Sequence, residues 1–224
     1  MKYLIVIANG LTDRPIAEKD NKTPLQLADT PNLDQMVREG RTGSVQTIPD
    51  SHHIGNDVSY LSLLGYDPAQ YDIAPAYFDA LAMGVNLKDG EIPLCCDFVT
   101  LQSSHNDMVM KDYTADHLSC DEARGYLKAL QEQISDCAVT FHPGQGYHNL
   151  MVMESEPFSE RLTPPEELIG EGIRNFMPGD DQFKELIYVT NQAQIILHNH
   201  PVNQQRKRER RDPVNSIWLW GNGK

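Results

Sequence analysis

Apolar residues in the N-terminal third of the chain occur alternately as unbroken runs and at helical spacing. Residues 3–7 form an unbroken apolar run that ends at a turn signal, which predicts a fully buried strand. A threonine before a proline at 23–24 and again at 30–31 predicts two helix starts. A second strand is expected at 43–48 and an apolar helix at 58–64. Strands alternating with helices predict an α/β unit.

The middle of the chain has the pattern of strands on either side of one amphipathic helix. Residues 92–101 and 137–153 are predicted strands. Between them, Ser119 and Glu122 have the spacing of a capping box, in which each side chain accepts a backbone N–H at the helix start. The apolar face of the helix that follows consists of Ala123, Tyr126, Leu127, Leu130 and Ile134.

The last third begins with a loop rich in proline and glutamate at 154–181, followed by a predicted helix at 183–198. The basic run at 206–211 is interpreted as a solvated linker, with pairing to the protein's own carboxylates as the alternative. A short apolar strand is predicted at 216–220, where two alternating tryptophans indicate that both faces are covered.

Together these elements predict a mixed α/β protein with an interrupted first domain. Residues 1–80 are assigned to the N-terminal part of an α/β domain, and residues 81–210 to an inserted, smaller α+β domain. Residues 211–224 are expected to return as a strand to the first domain.

Composition and charge exclude several classes of partner. The chain has 224 residues, with 32 acidic against 19 basic side chains, a net charge of −13 and a pI of about 4.9. Nucleic acids and anionic membranes need a basic face, so neither is expected as a partner. The apolar runs are shorter than a membrane span or a signal peptide requires. Because the four cysteines form no CxxC pair, we expect reduced, mostly buried thiols in a cytoplasmic protein.

Several stretches, taken in order, resemble one known family. They are MKYLIVIANGLTDRPI, NKTPLQLADTPNLD, SLLGYDP, MGVNLKDGEIPL, DYTADHLSCDEA and HPVNQQRKRERRDPVNSIWLWGNGK. The family is the archaeal-type 2,3-bisphosphoglycerate-independent phosphoglycerate mutases of the alkaline phosphatase superfamily, some bacterial members of which have been proposed to be homoserine kinases. The resemblance runs along essentially the whole chain but covers only the N-terminal portion of the family's fold.

The resemblance implies both an architecture and a reaction. The architecture is a partial alkaline-phosphatase-like α/β domain with an inserted smaller α+β domain. The reaction is the glycolytic interconversion of 3-phosphoglycerate and 2-phosphoglycerate, in which a serine takes the phosphate and two divalent cations, Mn²⁺ or Mg²⁺, hold it. Arginines and histidines of the inserted domain grip the substrate, and these cations neutralise the charge on the transferred group.

The chain departs from the family at the positions that carry the chemistry. Asn9 stands where the family has a metal-binding aspartate, and Asn56 where it has the serine nucleophile. A carboxamide brings no charge to a cation and cannot form a phosphoserine-type intermediate. We therefore expect Asn56 to cap a helix and Asn9 to form a turn. Asp57 and His117 remain, with His117 either a substrate contact or a packing residue.

Positive charges are also replaced in the inserted domain. Two arginine motifs of the family are replaced by neutral or acidic residues: a Gly-Arg-Gly-Pro type by Ala74-Pro75-Ala76-Tyr77, and an Arg-Cys-Asn type by Cys95-Cys96-Asp97. A Tyr-Arg-His type of motif is replaced by Tyr147-His148-Asn149, and a Pro-Pro-His-Asp type by Pro164-Pro165-Glu166-Glu167. The resemblance places Tyr147, His148 and Glu166 at substrate-binding positions. A pocket that has exchanged cations for neutral or acidic groups is expected to hold a multiply charged phosphate poorly.

We therefore predict a degenerate pseudoenzyme that is inactive on its own, needs no cofactor and binds a small phosphorylated acid weakly at most. Two alternatives stay open: a phosphoryl-transfer enzyme completed by a partner or a C-terminal half, and a binding module for a neutral or cationic small molecule. An incomplete sheet would leave an open edge, which favours self-association or a partner chain. The histidine pairs at 52–53 and 198/200 are weak metal candidates, because no cysteine or acidic set stands at ligand spacing.

Overall fold

A computed structural model describes residues 2–8, 10–50, 55–71, 74–104, 107–156, 158, 160–177, 179 and 181–223, with residues 56 and 57 described in their backbone only. The chain divides into two compact units, Met1–Gln46 and Thr47–Lys224. No helix in the described part of the chain is both long and apolar enough to cross a membrane.

Two short helices organise the smaller unit. Helix α1 spans Pro24–Leu27 and helix α2 spans Pro31–Glu39. The hydroxyl of Thr23 accepts the N–H of Gln26 while the Gln26 side chain accepts the N–H of Thr23, so the start of α1 is a capping box. Both helix starts predicted from Thr-Pro pairs are confirmed.

The two strands predicted in this unit are wrong for the described residues. Residues 3–7 and 43–48 have no strand pairing, and apolar side chains there are largely exposed, as Leu4 at 88% and Val45 at 78% show. An apolar run becomes a buried strand only where neighbouring strands accept its backbone hydrogen bonds, and the described residues of this unit form no such neighbouring strand. Self-association through an open sheet edge stays a prediction.

The described part of the larger unit contains five helices and five strands. The helices are α3 (Asn56–Leu63), α4 (Pro75–Ala82), α5 (Cys120–Gln133), α6 (Lys184–Asn199) and α7 (Pro201–Arg208), and the strands are β1 (Glu91–Ser104), β2 (Asp107–Asp112), β3 (Val139–Gln145), β4 (His148–Glu154) and β5 (Ser216–Trp220). The predicted mixed α/β class is confirmed. The predicted loop at 154–181 carries short 3-10 turns, among them Pro165–Leu168.

All strand pairs of the sheet are antiparallel. The order is β2-β1-β4-β3, and β5 pairs with β1. The segment predicted as one strand at 137–153 is a hairpin that turns at Gly146, whose φ is +60°. A side chain at Gly146 would collide with the carbonyl oxygen of Leu118, so the turn requires glycine.

Alternation along β1 places helices on opposite faces of the sheet. Leu94, Cys96 and Phe98 pack into the cluster that contains the apolar faces of α5 and α6. Cys95 belongs instead to the cluster that contains Ala76 and Ala80 of α4. The adjacent cysteines therefore point to opposite faces, as predicted. The capping box of Ser119 and Glu122 is also confirmed.

The C-terminal strand joins the sheet of the larger unit, and its predicted return to the first domain stays a prediction. Strand β5 pairs with β1 in the register Cys95↔Trp220 to Val99↔Ser216. It therefore belongs to the same sheet as β1 to β4, which all lie within the inserted domain predicted at residues 81–210. The two faces of β5 pack against the hydrophobic clusters on the two sides of the sheet, and this burial stabilises an apolar strand there. The domain boundaries near 80 and 210 stay a prediction for the family's whole fold.

The basic run at 206–211 is solvated only in part, at residues 207–210, and its first three residues lie in helix α7 rather than in a linker. Arg206 lies in α7, is 1% exposed, and donates to the carbonyl oxygens of Ala115 and Asp212 at 2.7 and 2.8 Å and to the Glu122 carboxylate at 2.9 Å. Arg211 also pairs with Glu122, at 3.2 Å. The alternative of pairing with the protein's own carboxylates is confirmed for these two arginines, because burying a guanidinium requires such partners.

Candidate functional site

A polar cluster forms where α4 packs on the sheet. His148 is the first residue of β4 and lies opposite Asp97 of β1 in the antiparallel register. Trp220, the last residue of β5, lies opposite Cys95. Because side chains alternate along a strand, Cys95 and Asp97 share one face of β1, and α4 brings Asp79 to that face.

His148 bridges two carboxylates. Its Nδ1 lies 2.6 Å from Oδ1 of Asp97, and its Nε2 lies 3.0 Å from Oδ2 of Asp79. The indole N–H of Trp220 donates to the other oxygen of Asp97 at 2.7 Å, and the thiol of Cys95 donates to Oδ2 of Asp79 at 3.2 Å. Asp97 is 2% exposed, whereas the side chains of His148 and Asp79 are each 29% exposed.

The pKa values of the cluster follow from burial set against these hydrogen bonds. Burial disfavours the imidazolium of His148, but the hydrogen bonds and charges of Asp79 and Asp97 outweigh it and raise its pKa to about 10. Burial also pushes the pKa of Asp79 upward, yet the hydrogen bonds from His148 and Cys95 and the charge of His148 lower it overall. The pKa of Asp97 is raised because its burial outweighs the hydrogen bonds from His148 and Trp220.

The thiol of Cys95 is held in its protonated form. Burial, followed by the negative charges of Asp79 and Asp97, raises its pKa well above the ordinary range. In the cluster as described, one imidazolium therefore faces two carboxylates and a neutral thiol. The positive charge of His148 is satisfied within the cluster, and both of its N–H groups are directed at carboxylate oxygens.

A cavity of about 510 Å³ in the larger unit includes Trp220 in its wall. Gly55 and Ser59, from the start of α3, line it, as do Glu166 and Glu167 of the 3-10 turn after β4. Burial, together with the charges of Asp97 and Glu167, raises the pKa of Glu166. The cavity thus joins the helix at the family's nucleophile position to an acidic wall beside the His148 cluster.

The loop along this cavity is fixed by Asn222. Its Oδ1 accepts the backbone N–H of Leu162 at 2.8 Å, and its Nδ2 donates to the carbonyl oxygen of Glu160 at 2.6 Å. Gly221 precedes it with a φ of +73°, and a Cβ there would lie 2.6 Å from the sulfur of Cys95. The chain can pass this close to the cluster only because residue 221 is glycine.

The structure brings together three of the predicted site residues. Tyr147 precedes His148 in the chain, with ring centroids 6.5 Å apart, and Glu166 lines the same cavity as Trp220, whose ring centroid lies 6.2 Å from that of His148. Asn9 and the histidine pair at 52–53 lie outside the described residues. Asn56 and Asp57 open helix α3, whose N-cap is Gly55. The prediction that Asn56 is the N-cap is therefore wrong by one position, because the extended backbone precedes it at Gly55.

His117 lies on a separate turn. Ala115, Asp116 and His117 all have left-handed backbone angles, with φ of 49°, 58° and 49°. The carboxylate of Asp112 holds this turn by accepting the N–H groups of Thr114 and Asp116, each at 2.7 Å. His117 itself is exposed, and its N–H donates to the Thr114 hydroxyl at 3.2 Å.

Sequence reasoning missed two members of the cluster, Asp79 and Trp220. Asp79 lies in a stretch for which no element was predicted, and Trp220 was predicted only as a strand residue with both faces of its strand covered. The spacing of Cys95 and Asp97 on one predicted strand could have indicated a shared face. The other histidine candidate also has a local role, since Nδ1 of His200 accepts the Val202 N–H at 3.3 Å at the start of α7.

Comparisons with known proteins agree on one family. The family model described as 2,3-bisphosphoglycerate-independent phosphoglycerate mutase matches residues 37–203. The Methanosarcina mazei protein of that name is 39% identical over 227 residues, covering 100% of this chain and 55% of its own length. A protein of Geobacter sulfurreducens named as a probable member is 37% identical, covering 100% of this chain and 56% of its own.

Solved structures show the same fold. A cofactor-independent phosphoglycerate mutase from Thermoplasma acidophilum matches with a TM-score of 0.53 and 26% identity, over 96% of this chain and 58% of its own. A Pyrococcus horikoshii protein matches with a TM-score of 0.58 and 24% identity, over 96% of this chain and 49% of its own. The chain spans about half the length of the curated relatives it matches.

Proposed function

Because the chain belongs to the 2,3-bisphosphoglycerate-independent phosphoglycerate mutase family, we propose that it retains the family's fold and pocket without interconverting phosphoglycerates on its own. The family reaction needs a hydroxyl nucleophile, cations that hold the phosphate and arginines that grip the substrate. This chain has Asn56 and Asn9 at two of those positions.

The observation that carries the proposal is the bridging geometry of His148. The resemblance places a substrate-gripping arginine at this position, and an arginine binds phosphate through N–H groups in a fixed fork. Here the histidine directs both ring nitrogens at carboxylates, at 2.6 and 3.0 Å. A phosphate approaching His148 would have to displace a carboxylate and would meet the remaining negative charge.

The cavity wall supports the same conclusion. Glu166 and Glu167 line it, and Glu166 stands where the family pattern has a histidine. A multiply charged phosphate in this cavity would lie beside these two carboxylates, and the described lining offers it one cationic side chain, Arg161, in place of the several cations it requires. The acidic balance of the whole chain, −13, therefore extends to the wall of the cavity.

Calorimetric titration with 3-phosphoglycerate in the presence of Mn²⁺ tests the proposal, with the Methanosarcina mazei relative as the positive control. We expect no saturable binding by this chain and no turnover. The double variant Asn9→Asp with Asn56→Ser should also stay inactive, because the substrate-gripping charges are still replaced. Measurable turnover in that variant would favour a phosphoryl-transfer enzyme instead.

A second candidate function is a binding module for a small neutral or cationic molecule. The observation that favours it is a cavity of about 510 Å³ whose wall combines the indole of Trp220 with Glu166 and Glu167. Choline is a suitable probe, because an aromatic face and carboxylates both attract a quaternary ammonium. A rise in melting temperature with choline that is reduced in Glu166→Gln supports this function. No rise, or an equal rise in Glu166→Gln, contradicts it.

A further inference from the structure

Three donor atoms of different chemistry converge at the centre of the His148 cluster. An oxygen of Asp79, the sulfur of Cys95 and a ring nitrogen of His148 all lie within 4.8 Å of one another. Carboxylate oxygen, thiolate sulfur and imidazole nitrogen are the donors that Zn²⁺ takes in proteins. We propose that these three side chains form a zinc-binding site, at a position distinct from the family's cation position at Asn9.

The distances are close to those that a bound zinc ion would require. With ordinary zinc–ligand bond lengths and tetrahedral angles, the ligand atoms would lie about 3.3 Å (nitrogen to oxygen) and about 3.5 Å (sulfur to oxygen) apart. In the structure, Nε2 of His148 is 3.0 Å and Sγ of Cys95 is 3.2 Å from Oδ2 of Asp79. Each pair therefore has to separate by about 0.3 Å, which side-chain adjustments can supply.

A second, independent feature is the partner of the other imidazole nitrogen. Zinc-binding histidines usually donate their second N–H to a carboxylate, which fixes the ring orientation and increases ligand basicity. Here Nδ1 of His148 is 2.6 Å from Asp97, and Asp97 is itself fixed by the Trp220 indole at 2.7 Å. This arrangement leaves Nε2 at 3.0 Å from Oδ2 of Asp79 and within 4.8 Å of the sulfur of Cys95. A merely structural ion pair would not require the thiol of Cys95 at the same oxygen.

The site is also accessible to a cation. The side chains of His148 and Asp79 are each 29% exposed, while Cys95 is buried beneath them. Zinc binding would replace the Nε2 proton of His148 and the thiol proton of Cys95, and both protons would leave to solvent. Three protein ligands leave one tetrahedral position, which a water molecule can take.

The three residues come from α4, β1 and β4, so no sequence motif joins them. Asp79, Cys95 and His148 are brought together by the packing of α4 on the sheet and by the β1–β4 register. This explains why spacing alone predicted no metal site. The site shares His148 with the proposed function, but the two are tested separately, because zinc binding is measured without phosphoglycerate and does not involve the residues at the nucleophile position.

Titration of the metal-free chain with Co²⁺ tests the proposal, because cobalt replaces zinc and is visible spectroscopically. We expect one equivalent to bind, with thiolate-to-cobalt absorption in the near ultraviolet and four-coordinate bands in the visible, all removed by Zn²⁺. Cys95→Ser should abolish the thiolate absorption. His148→Gln and Asp79→Asn should each weaken binding, and Asp97→Asn should weaken it by about 10–100-fold. Cys120→Ser, at an exposed cysteine, should leave the spectrum unchanged.

X-ray absorption at the zinc edge of the unmodified chain gives an answer that does not depend on the folding of any variant. We expect one sulfur at about 2.3 Å with nitrogen and oxygen ligands at about 2.0–2.1 Å. Failure to bind one equivalent of Zn²⁺ or Co²⁺ would overturn the proposal. A zinc shell without sulfur, or cobalt binding that Cys95→Ser and His148→Gln leave unchanged, would overturn it equally.

Discussion

Replacing His148 with alanine should destabilise the protein, because it leaves the buried carboxylate of Asp97 without its cation. Removing one partner of a buried ion pair costs about 3–5 kcal/mol. Loss of the ion pair between His148 and Asp79 contributes less to the destabilisation, about 0–1 kcal/mol, because the Asp79 side chain is 29% exposed and water can replace the imidazolium. Burial already favours the protonated form of Asp97, which limits the loss. We therefore expect a decrease of about 3 kcal/mol in the free energy of unfolding at pH 7.

A second variant separates the lost charge from the lost side chain. Asp97→Asn combined with His148→Ala removes the buried charge and keeps an acceptor for the Trp220 indole. This double variant should be about 2 kcal/mol more stable than His148→Ala alone. Urea denaturation in EDTA measures all three proteins, and His198→Ala, at an exposed histidine of α6, is the matched control. A loss below about 1 kcal/mol for His148→Ala, or no recovery in the double variant, would refute the reasoning.

Three further predictions concern the rest of the larger unit. Arg206→Ala should lower the free energy of unfolding by about 3–5 kcal/mol, because Glu122 loses one of its two arginine partners and two carbonyl oxygens lose a buried donor, whereas exposed Arg208→Ala should change it by less than about 0.5 kcal/mol; equal urea midpoints would contradict this. Burial raises the pKa of Glu122, but hydrogen bonds from Arg206 and Ser119 lower it below the ordinary 4.5. The ionised Glu122 should therefore contribute its full stabilisation above about pH 4.5, and this contribution should be lost as the pH falls through the lowered pKa. In Arg206→Ala, the free energy of unfolding measured in urea should consequently decrease less steeply as the pH is lowered. Parallel pH profiles of the two proteins would exclude this pairing. Gly221→Ala should lower the free energy of unfolding by about 1–3 kcal/mol, because residue 221 has a left-handed backbone and the added carbon would lie 2.6 Å from the sulfur of Cys95. Gly43→Ala is the control, because a side chain there would enter open space. Equal melting temperatures of the two variants would contradict the prediction.

Local signals predicted helices α1, α2, α3, α5 and α6 and the central strands, but not α4, α7 or β2. The capping box at Ser119 and the Thr-Pro pairs act within a few residues, so the sequence alone determines them. The run at 3–7 failed because a buried strand depends on distant partners rather than on its own composition. Arg206 was assigned to a linker because its burial depends on the Ala115 carbonyl and the Glu122 carboxylate, which lie 91 and 84 residues away in the chain.

The candidate site could be predicted only in part, for the same reason. The resemblance indicated Tyr147, His148 and Glu166, and the structure brings these residues together. It did not indicate Asp79 as a partner of His148, because that contact depends on how α4 packs on the sheet. The replacement of an arginine by histidine appeared from sequence as a lost charge. The structure shows the remaining charge of His148 satisfied by two carboxylates.

The most direct test of the account is to follow 3-phosphoglycerate by ³¹P NMR in the presence of the purified chain and Mn²⁺ or Mg²⁺. We expect the phosphorus signal of 3-phosphoglycerate to persist, while the Methanosarcina mazei relative converts it under the same conditions. Appearance of the 2-phosphoglycerate signal above the protein-free background would contradict the central claim that this family member does not interconvert phosphoglycerates on its own.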